Sequence, residues 1–166
     1  PDDEAIFDGD VTIVGDVHGQ YDDFAQIFQT PQLGGYPTEN NQFIFNGDLV
    51  DRGPMAVEIV TVLLANNLLT PNSVHILRGN HETHSMTEAF GFQKEVLGKY
   101  DREVLAKFRA FFDTLPVAAV VENMIFVVHG GIGPRVVNMS IEDINKLDRV
   151  GEPDYEGAIT ELLWSG

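Results

Sequence analysis

The fold of this chain is decided by the stretch Leu77-Arg78-Gly79-Asn80-His81-Glu82. It continues the apolar run 74–77, whose composition is typical of a buried strand. Gly79 then lets the backbone turn, and the turn presents Asn80 and His81 side by side. An amide oxygen can coordinate a hard cation, while an imidazole can ligate a metal or donate a proton. Because ligands in open α/β sheets bind beyond the carboxyl ends of the strands, the stretch predicts part of a site at a sheet edge.

Three further apolar runs, at residues 11–14, 43–45 and 125–128, end in the same way. Polar side chains follow them: Asp16 and His18 after the first run, Asp48, Asp51 and Arg52 after the second, and His129 after the third. Taken singly, each turn has a structural explanation, such as an Asx turn at Asp16 or an exposed Asp51–Arg52 ion pair worth about 0–1 kcal/mol. Their recurrence at four strand ends predicts one shared site instead.

The chemistry of this set favours metal ions. It combines carboxylate, amide and imidazole donors and contains no sulfur, which suits Mn, Fe or Zn better than Ca. The donors outnumber what one open ion needs, and Asp48 is the natural bridge between two ions roughly 3.5–4 Å apart. Two such ions would activate water, Arg52 would clamp a phosphoryl group in a bidentate manner, and His81 would donate a proton to the leaving oxygen. Asp51 would hold the tautomer of His81 and stabilise its charge.

The composition limits the classes of function. The chain has 166 residues, 43% of them hydrophobic, which predicts one globular domain of the α/β (α+β) class after an acidic arm at residues 1–10. Lys and Arg total 10 against 26 Asp and Glu, and the net charge of −16 opposes nucleic-acid binding. It also predicts a preference for substrates with basic flanks. There are no cysteines, and no apolar run approaches the roughly 18 residues of a membrane span.

The remaining segments read mainly as helices. Periodic apolar residues predict helices over about 22–30 and 55–67, three helical segments between 86 and 115, and a last helix over 158–164. Residues 118–128 predict a hairpin that turns at Glu122-Asn123, and Ser140 predicts the start of a short helix. His75 is expected in the core, and His84 is expected in a loop without a ligand role.

These motifs resemble the phosphoprotein phosphatase family of metal-dependent serine/threonine protein phosphatases, and most of all its type 5 members. The matching stretches are Gly15–Gly19, Gly47–Gly53, Leu77–Glu82, His129–Gly131 and Leu162–Ser165. The resemblance implies a metallophosphoesterase-type β-sandwich flanked by helices, with residues 11–166 forming part of a calcineurin-like catalytic domain. It also implies two divalent ions, Mn before Fe or Zn.

The resemblance implies a role for each matching residue. Asp16 and His18 would hold the first ion, Asp48 would bridge, and Asn80 and His129 would hold the second. Arg52, Asn80 and His81 would bind the substrate phosphate, and His81 would be the general acid, supported by Asp51. This agrees with the interpretation built from the strand ends.

The chain also departs from the family pattern. Family domains continue past the Trp164-Ser165 dipeptide, usually with Asp where this chain has Gly166. The continuation carries a further metal-ligating His, a second phosphate-binding Arg and the strands of the other sheet. We therefore expect an incomplete domain whose C-terminal sheet is missing, weak or absent activity of the 166-residue chain alone, and self-association through the uncovered sheet.

The predicted function is a serine/threonine protein phosphatase that uses a dinuclear metal centre to activate water for direct hydrolysis of phosphomonoesters. One alternative is a dinuclear phosphoesterase acting on a dinucleoside polyphosphate. The other is an inactive fragment that binds metal or a partner without turnover. The family resemblance implies phosphoserine and phosphothreonine proteins as substrates, regulatory subunits or domains as partners, and a cytoplasmic or nuclear location, without nucleic acid or membrane.

Overall fold

A computed structural model describes residues 9–165 of the chain. The first eight residues of the predicted acidic arm lie outside this range, and Asp10 already belongs to the first strand. No helix within residues 9–165 is long and apolar enough to cross a membrane.

A parallel three-stranded sheet positions the site. Its strands β1 (Asp10–Val14), β2 (Asn41–Phe45) and β3 (Val74–Ile76) lie in that order. The register pairs the last residue of β1 with Phe45 and Phe45 with Ile76, so the three carboxyl ends are level. The turns that follow the three strands therefore meet at one edge of the sheet, as the sequence predicts.

Helices cover one face of this sheet. The main core on this face includes residues of α1 (Tyr21–Gln29), α2 (Ala56–Leu69), α4 (Phe92–Lys99) and α5 (Arg102–Thr114), and α3 (His84–Phe90) contacts α4. Residues of α6 (Ile141–Asn145) and α7 (Ala158–Trp164) belong to a separate core, and a 3₁₀ turn lies at Pro31–Leu33. Phe43 and Phe45 of β2 are fully buried in the main core, which also contains Phe24 of α1, Ile59 of α2 and Phe112 of α5. Alternate residues of β2 therefore point at the helices, because side chains of a strand alternate between its two faces.

A hairpin covers the opposite face. Its strands β4 (Ala118–Val121) and β5 (Ile125–Val128) are antiparallel, and Glu122 and Asn123 between them have φ of 49° and 56°. Positive φ at both central residues is the geometry of a tight hairpin turn that follows the twist of the strands. Ile44 and Leu77 contact Val127 across the two sheets. The predicted arrangement of sheet against sheet with flanking helices is confirmed.

One local prediction was wrong. His84 lies in a helix rather than a loop, because α3 begins two residues earlier than the periodicity suggests. The backbone N–H groups of His84 and Ser85 both donate to the carboxylate of Glu152, at 2.6 and 3.0 Å. A carboxylate that satisfies two free N–H groups at a helix start stabilises that start. Since the capping residue is 68 positions away, no local pattern announces it.

The expected uncovered apolar surface is only partial in the described residues. Val117, Ile159 and Leu162 form a second core in which α7 contributes to covering the outer side of the hairpin. Ile13 and Ile125 remain 45% and 51% exposed. Self-association through this surface stays a prediction.

Candidate active site

The structure brings the five predicted metal ligands together around Asp48. The carboxylate oxygens of Asp48 lie 3.4 Å from His18 Nε2 and 3.4 Å from His129 Nε2. The amide oxygen of Asn80 lies 2.9 Å from the same nitrogen of His129. One carboxylate oxygen of Asp16 lies 3.9 Å from His18 Nε2, and the other lies 4.0 Å from His129 Nδ1. Residues from four separate turns thus converge on one cluster.

Backbone contacts fix the tautomers of both imidazoles. His18 Nδ1 lies 2.8 Å from the carbonyl oxygen of Val50, and His129 Nδ1 lies 2.7 Å from that of Asn46. A carbonyl only accepts, so each Nδ1 carries the proton and donates it. Each Nε2 is then left with a lone pair aimed into the cluster, which is how metal-ligating histidines are held.

The cluster contains acceptors that no donor satisfies. His18 Nε2 is buried and forms no hydrogen bond with any residue in the described range. His129 Nε2 faces oxygens of Asp48 and Asn80, and only a rotated Asn80 amide would donate to it. The backbone N–H of His81 donates to one Asp48 oxygen at 3.0 Å. The other lone pairs of two imidazoles, two carboxylates and an amide oxygen converge with no such donor, and a set of this kind fits a cation. The residues therefore fit divalent ions, with Asp48 placed to bridge.

The side chains whose ligand atoms lie close together include His81, which the sequence did not predict as a ligand. One set of mutually close ligand atoms comes from His18, Asp48 and His81, and a second comes from Asp16, Asp48 and His129. Asp48 belongs to both sets, as a bridging role requires. The assignment of Asp16 to the first ion rather than the second stays a prediction, because its carboxylate lies within 4.0 Å of both imidazoles.

His81 lies beside the cluster and is held from two sides. Its Nδ1 donates to a carboxylate oxygen of Asp51 at 2.8 Å, and the other Asp51 oxygen accepts from Phe92 N–H at 2.8 Å. Its Nε2 lies 3.3 Å from Arg52 Nη2 and 4.0 Å from Asp48. Both Asp51 and His81 are almost fully buried. The predicted proton donor, its supporting carboxylate and the predicted phosphate clamp therefore adjoin the cluster around Asp48.

Backbone strain concentrates at this site. His18, Asp48, Asp51 and Arg52 all have positive φ, between 45° and 69°. Non-glycine residues rarely adopt this conformation, which costs of order 1–3 kcal/mol each, and such residues cluster at functional sites. The turns after β2 and β3 also touch so closely that a Cβ on Gly79 would collide with Asp48. Only glycine fits there.

Glu82 has a role that the sequence pattern did not predict. Its carboxylate is fully buried and accepts three backbone N–H groups, from Asp48 and Leu49 at 2.8 Å and from Gly79 at 2.9 Å. Burial, together with the charge of Asp48, raises the pKa of the Glu82 carboxyl to about 7 against the pull of these three donors. Glu82 thereby joins the turn after β2 to the turn after β3. Its position next to His81 was the only signal.

Arg78 has a similar structural role that no local pattern revealed. Its buried guanidinium donates to the carbonyls of Arg149 and Gly151 at 2.9 Å and to the Asp113 carboxylate at 3.2 Å. Burial lowers the pKa of Arg78, which Asp113 and two further carboxylates partly offset. His84 also contacts Asp113, at 3.2 Å. This network fixes the stretch before Asn80 to α5 and to the loop after α6.

The amino-acid sequence is similar to those of several known phosphatases. The chain is 44% identical over 155 residues to serine/threonine-protein phosphatase 5 of Arabidopsis thaliana, which covers 93% of this chain and 28% of that protein. It is 40% identical to serine/threonine-protein phosphatase 5 of Homo sapiens, over 93% of this chain and 30% of that protein. The chain thus spans about three tenths of the length of these curated relatives.

A solved structure shares the fold closely. It is a protein serine/threonine phosphatase from Saccharomyces cerevisiae described as similar to human phosphatase PP5, and it superposes with a TM-score of 0.90 at 33% identity. The match covers 97% of this chain and 50% of that chain. The profile of the calcineurin-like phosphoesterase family matches residues 9–166, which include all eight predicted site residues. The chain belongs to the calcineurin-like phosphoesterase family.

Proposed function

We propose that this chain is part of a metal-dependent serine/threonine protein phosphatase that hydrolyses phosphomonoesters by direct attack of water. The proposal rests above all on one observation: His81, held by Asp51 and adjacent to Arg52, lies beside the cluster around Asp48. The similarity to serine/threonine-protein phosphatase 5 supports the same reaction and phosphoserine and phosphothreonine proteins as substrates.

Five residues would hold two divalent ions. They are Asp16, His18, Asp48, Asn80 and His129, and their converging lone pairs support this assignment. When bound, two such ions neutralise phosphoryl charge and lower the pKa of water toward neutrality. A set of oxygen and nitrogen donors without sulfur favours Mn, with Fe and Zn as the next choices.

Arg52 binds and orients the phosphoryl group in this proposal. Its guanidinium forms no ion pair with any carboxylate in residues 9–165, although the chain carries a net charge of −16. One of its N–H groups faces His81 Nε2 at 3.3 Å, and the remaining donors of the planar guanidinium can match two phosphoryl oxygens at once. The imidazole of His81, 3.3 Å from Arg52 Nη2, and the amide of Asn80, which contacts His129, would supply further contacts to phosphate.

His81 supplies the proton that the leaving oxygen needs. An alkoxide from serine or threonine is a poor leaving group, so a proton must reach it as the bond to phosphorus breaks. His81 Nε2 carries that proton when the imidazole is charged, while Nδ1–H stays bonded to Asp51. The buried Asp51 carboxylate, itself held by Phe92 N–H, stabilises this charged imidazole.

Release of inorganic phosphate from a phosphothreonine peptide in the presence of Mn²⁺ tests the proposal. We expect release that depends on metal, slow at most from the 166-residue chain alone and faster from the protein of which it is part, and about two ions per chain by elemental analysis. Asp48→Asn removes a bridging carboxylate oxygen and should reduce metal content and release together. Asp23→Asn makes the same chemical change at an exposed carboxylate of α1 and should change neither metal content nor phosphate release.

The two alternative functions predict different outcomes. Faster cleavage of diadenosine tetraphosphate than of the phosphopeptide would show that the protein is a phosphoesterase acting on dinucleoside polyphosphates. Two bound ions without release of phosphate from either substrate would identify a fragment that binds metal without turnover. A cytoplasmic or nuclear location, and regulatory subunits or domains, stay predictions from the family.

A further inference from the structure

A groove of about 460 Å³ leads away from the candidate phosphate site. Arg52, Pro54, Phe90, Lys94 and Lys99 are among the residues that line it. It begins at the site itself, because the Phe90 ring stands edge-on to His81 at a centroid distance of 5.2 Å. Arg52 N–H also donates to the carbonyl oxygen of Phe90 at 3.1 Å, which fixes the two walls relative to each other.

The charge of this groove is opposite to that of the chain. Its lining carries three cations, Arg52, Lys94 and Lys99, and one carboxylate, Glu95. Glu95 is already engaged, since it accepts from Ala56 and Val57 N–H at the start of α2 and from Lys99.

Lys94 is the cation left for a ligand. Lys99 is neutralised by Glu58 at 2.6 Å and Glu95 at 2.8 Å. Lys94 is exposed and forms no ion pair within the part of the chain that the structure describes. The groove therefore offers the proposed phosphate-binding Arg52, the half-exposed Phe90 ring at the end of α3, and the free ammonium of Lys94 in the first turn of α4.

We propose that this groove binds the substrate segment next to the phosphorylated residue and selects segments that carry an acidic side chain, which pairs with Lys94. The inference rests on the proposed phosphatase function and names its substrate class. The net charge of the whole chain favours basic flanks, but at 0.15 M ionic strength charges beyond about 8 Å are largely screened. The local charge of the groove then decides the preference.

Binding of three peptides tests this preference. Each contains a non-hydrolysable phosphonate analogue of phosphothreonine, flanked on both sides by Asp, by Ser or by Lys, and binding is followed by fluorescence anisotropy at 0.15 M salt with Mn²⁺. One exposed ion pair predicts about two- to fivefold tighter binding of the Asp peptide than of the Ser peptide. Lys94→Gln should bring this ratio close to one. Lys107→Gln, which removes the same charge from a 72% exposed site on α5, should leave the ratio unchanged.

Each outcome decides the proposal. Tightest binding of the Lys peptide, or a ratio that survives Lys94→Gln, overturns it. Hydrolysis of p-nitrophenyl phosphate, which has no flanking residues, separates this failure from failure of the proposed function. A chain that hydrolyses it without preferring the Asp peptide overturns only the inference, whereas a metal-loaded chain that neither hydrolyses it nor binds any peptide overturns both.

Discussion

Replacing Asp51 with Asn tests the proposed proton donor most directly. The two residues have nearly the same shape, and the Asn oxygen can still accept from Phe92 N–H, as Asp51 does at 2.8 Å. The amide nitrogen then faces His81 Nδ1 in place of the carboxylate oxygen at 2.8 Å. Because an amide carries no negative charge, the charged form of His81 loses its stabilising partner while the fold keeps its contacts.

The expected loss of activity in Asp51→Asn is larger than the expected loss of stability. General acid catalysis contributes about 10²–10⁴-fold to a rate, and we expect Asp51→Asn to lose most of it, so kcat on a phosphothreonine peptide should fall about 10²–10³-fold. Loss of one charge-assisted hydrogen bond at a fully buried carboxylate should lower the free energy of unfolding by only about 1–3 kcal/mol. The catalytic loss is therefore expected to exceed the loss that partial unfolding would produce.

The leaving group distinguishes a proton donor from a merely structural residue. p-Nitrophenolate leaves without protonation, so Asp51→Asn should slow p-nitrophenyl phosphate much less than the phosphopeptide. His81→Gln should give the same pattern, and metal content should stay at the wild-type value in both variants. Equal loss on the two substrates, or loss of bound metal together with activity, would refute the assignment of His81 and Asp51 as donor and support.

Three further predictions concern the framework of the site. Gly79→Ala places a methyl group against Asp48 and should lower both melting temperature and metal content, measured by thermal denaturation and elemental analysis. Asp113→Asn removes the charged partner of the buried Arg78 guanidinium and should lower the free energy of unfolding in urea by about 1–3 kcal/mol. Hydrogen bonds from the start of α3 hold the pKa of Glu152 below its ordinary value despite the opposing effect of burial. Its contribution to stability is therefore present above that ordinary pKa and lost as pH falls through the lowered one, and Glu152→Gln should flatten this acid-side loss in thermal denaturation.

Each of the three framework predictions has an outcome that would contradict it. Gly79→Ala with wild-type melting and metal content would mean that the two turns can separate without consequence. Asp113→Asn with wild-type stability would mean that the carbonyl acceptors alone satisfy Arg78. An unchanged acid-side slope in Glu152→Gln would mean that the capping carboxylate does not titrate with folding. Asp23→Asn, an exposed change on α1, is the common control for the two carboxylate variants.

The sequence predicted which side chains lie close together, because these residues follow the ends of strands; their roles stay predictions. A strand end limits where the next few side chains can lie, so Asp16, Asp48 and Asn80 were expected at one edge of the parallel sheet, where the three strand ends are level. His129 reaches the same cluster from the end of β5 in the hairpin. The same reasoning failed for Glu82, whose three donors come from two different turns. A carboxylate beside a histidine predicts nothing about which backbone groups it will bind, because that depends on how the turns meet.

Contacts at long range explain the other omissions. Arg78 binds carbonyls 71 and 73 positions later in the chain, and Glu152 caps a helix 68 positions earlier. Arg78 and Glu152 both lie in loops whose apolar residues do not recur at a regular spacing, so the sequence pattern does not predict where their side chains point. A distant contact can also decide where a helix begins, as the early start of α3 at His84 shows.

The strained backbone and the unsatisfied acceptors have a common physical reason. A site for cations must gather negative and lone-pair oxygens and nitrogens at close range, and such groups repel one another. Holding them requires a framework that does not relax, which here consists of backbone contacts to His18 and His129 and the three N–H groups bound by Glu82. Two residues within this framework, His18 and Asp48, have positive φ. The strain is thus offset by hydrogen bonds in the framework, and a bound cation would remove the remaining repulsion.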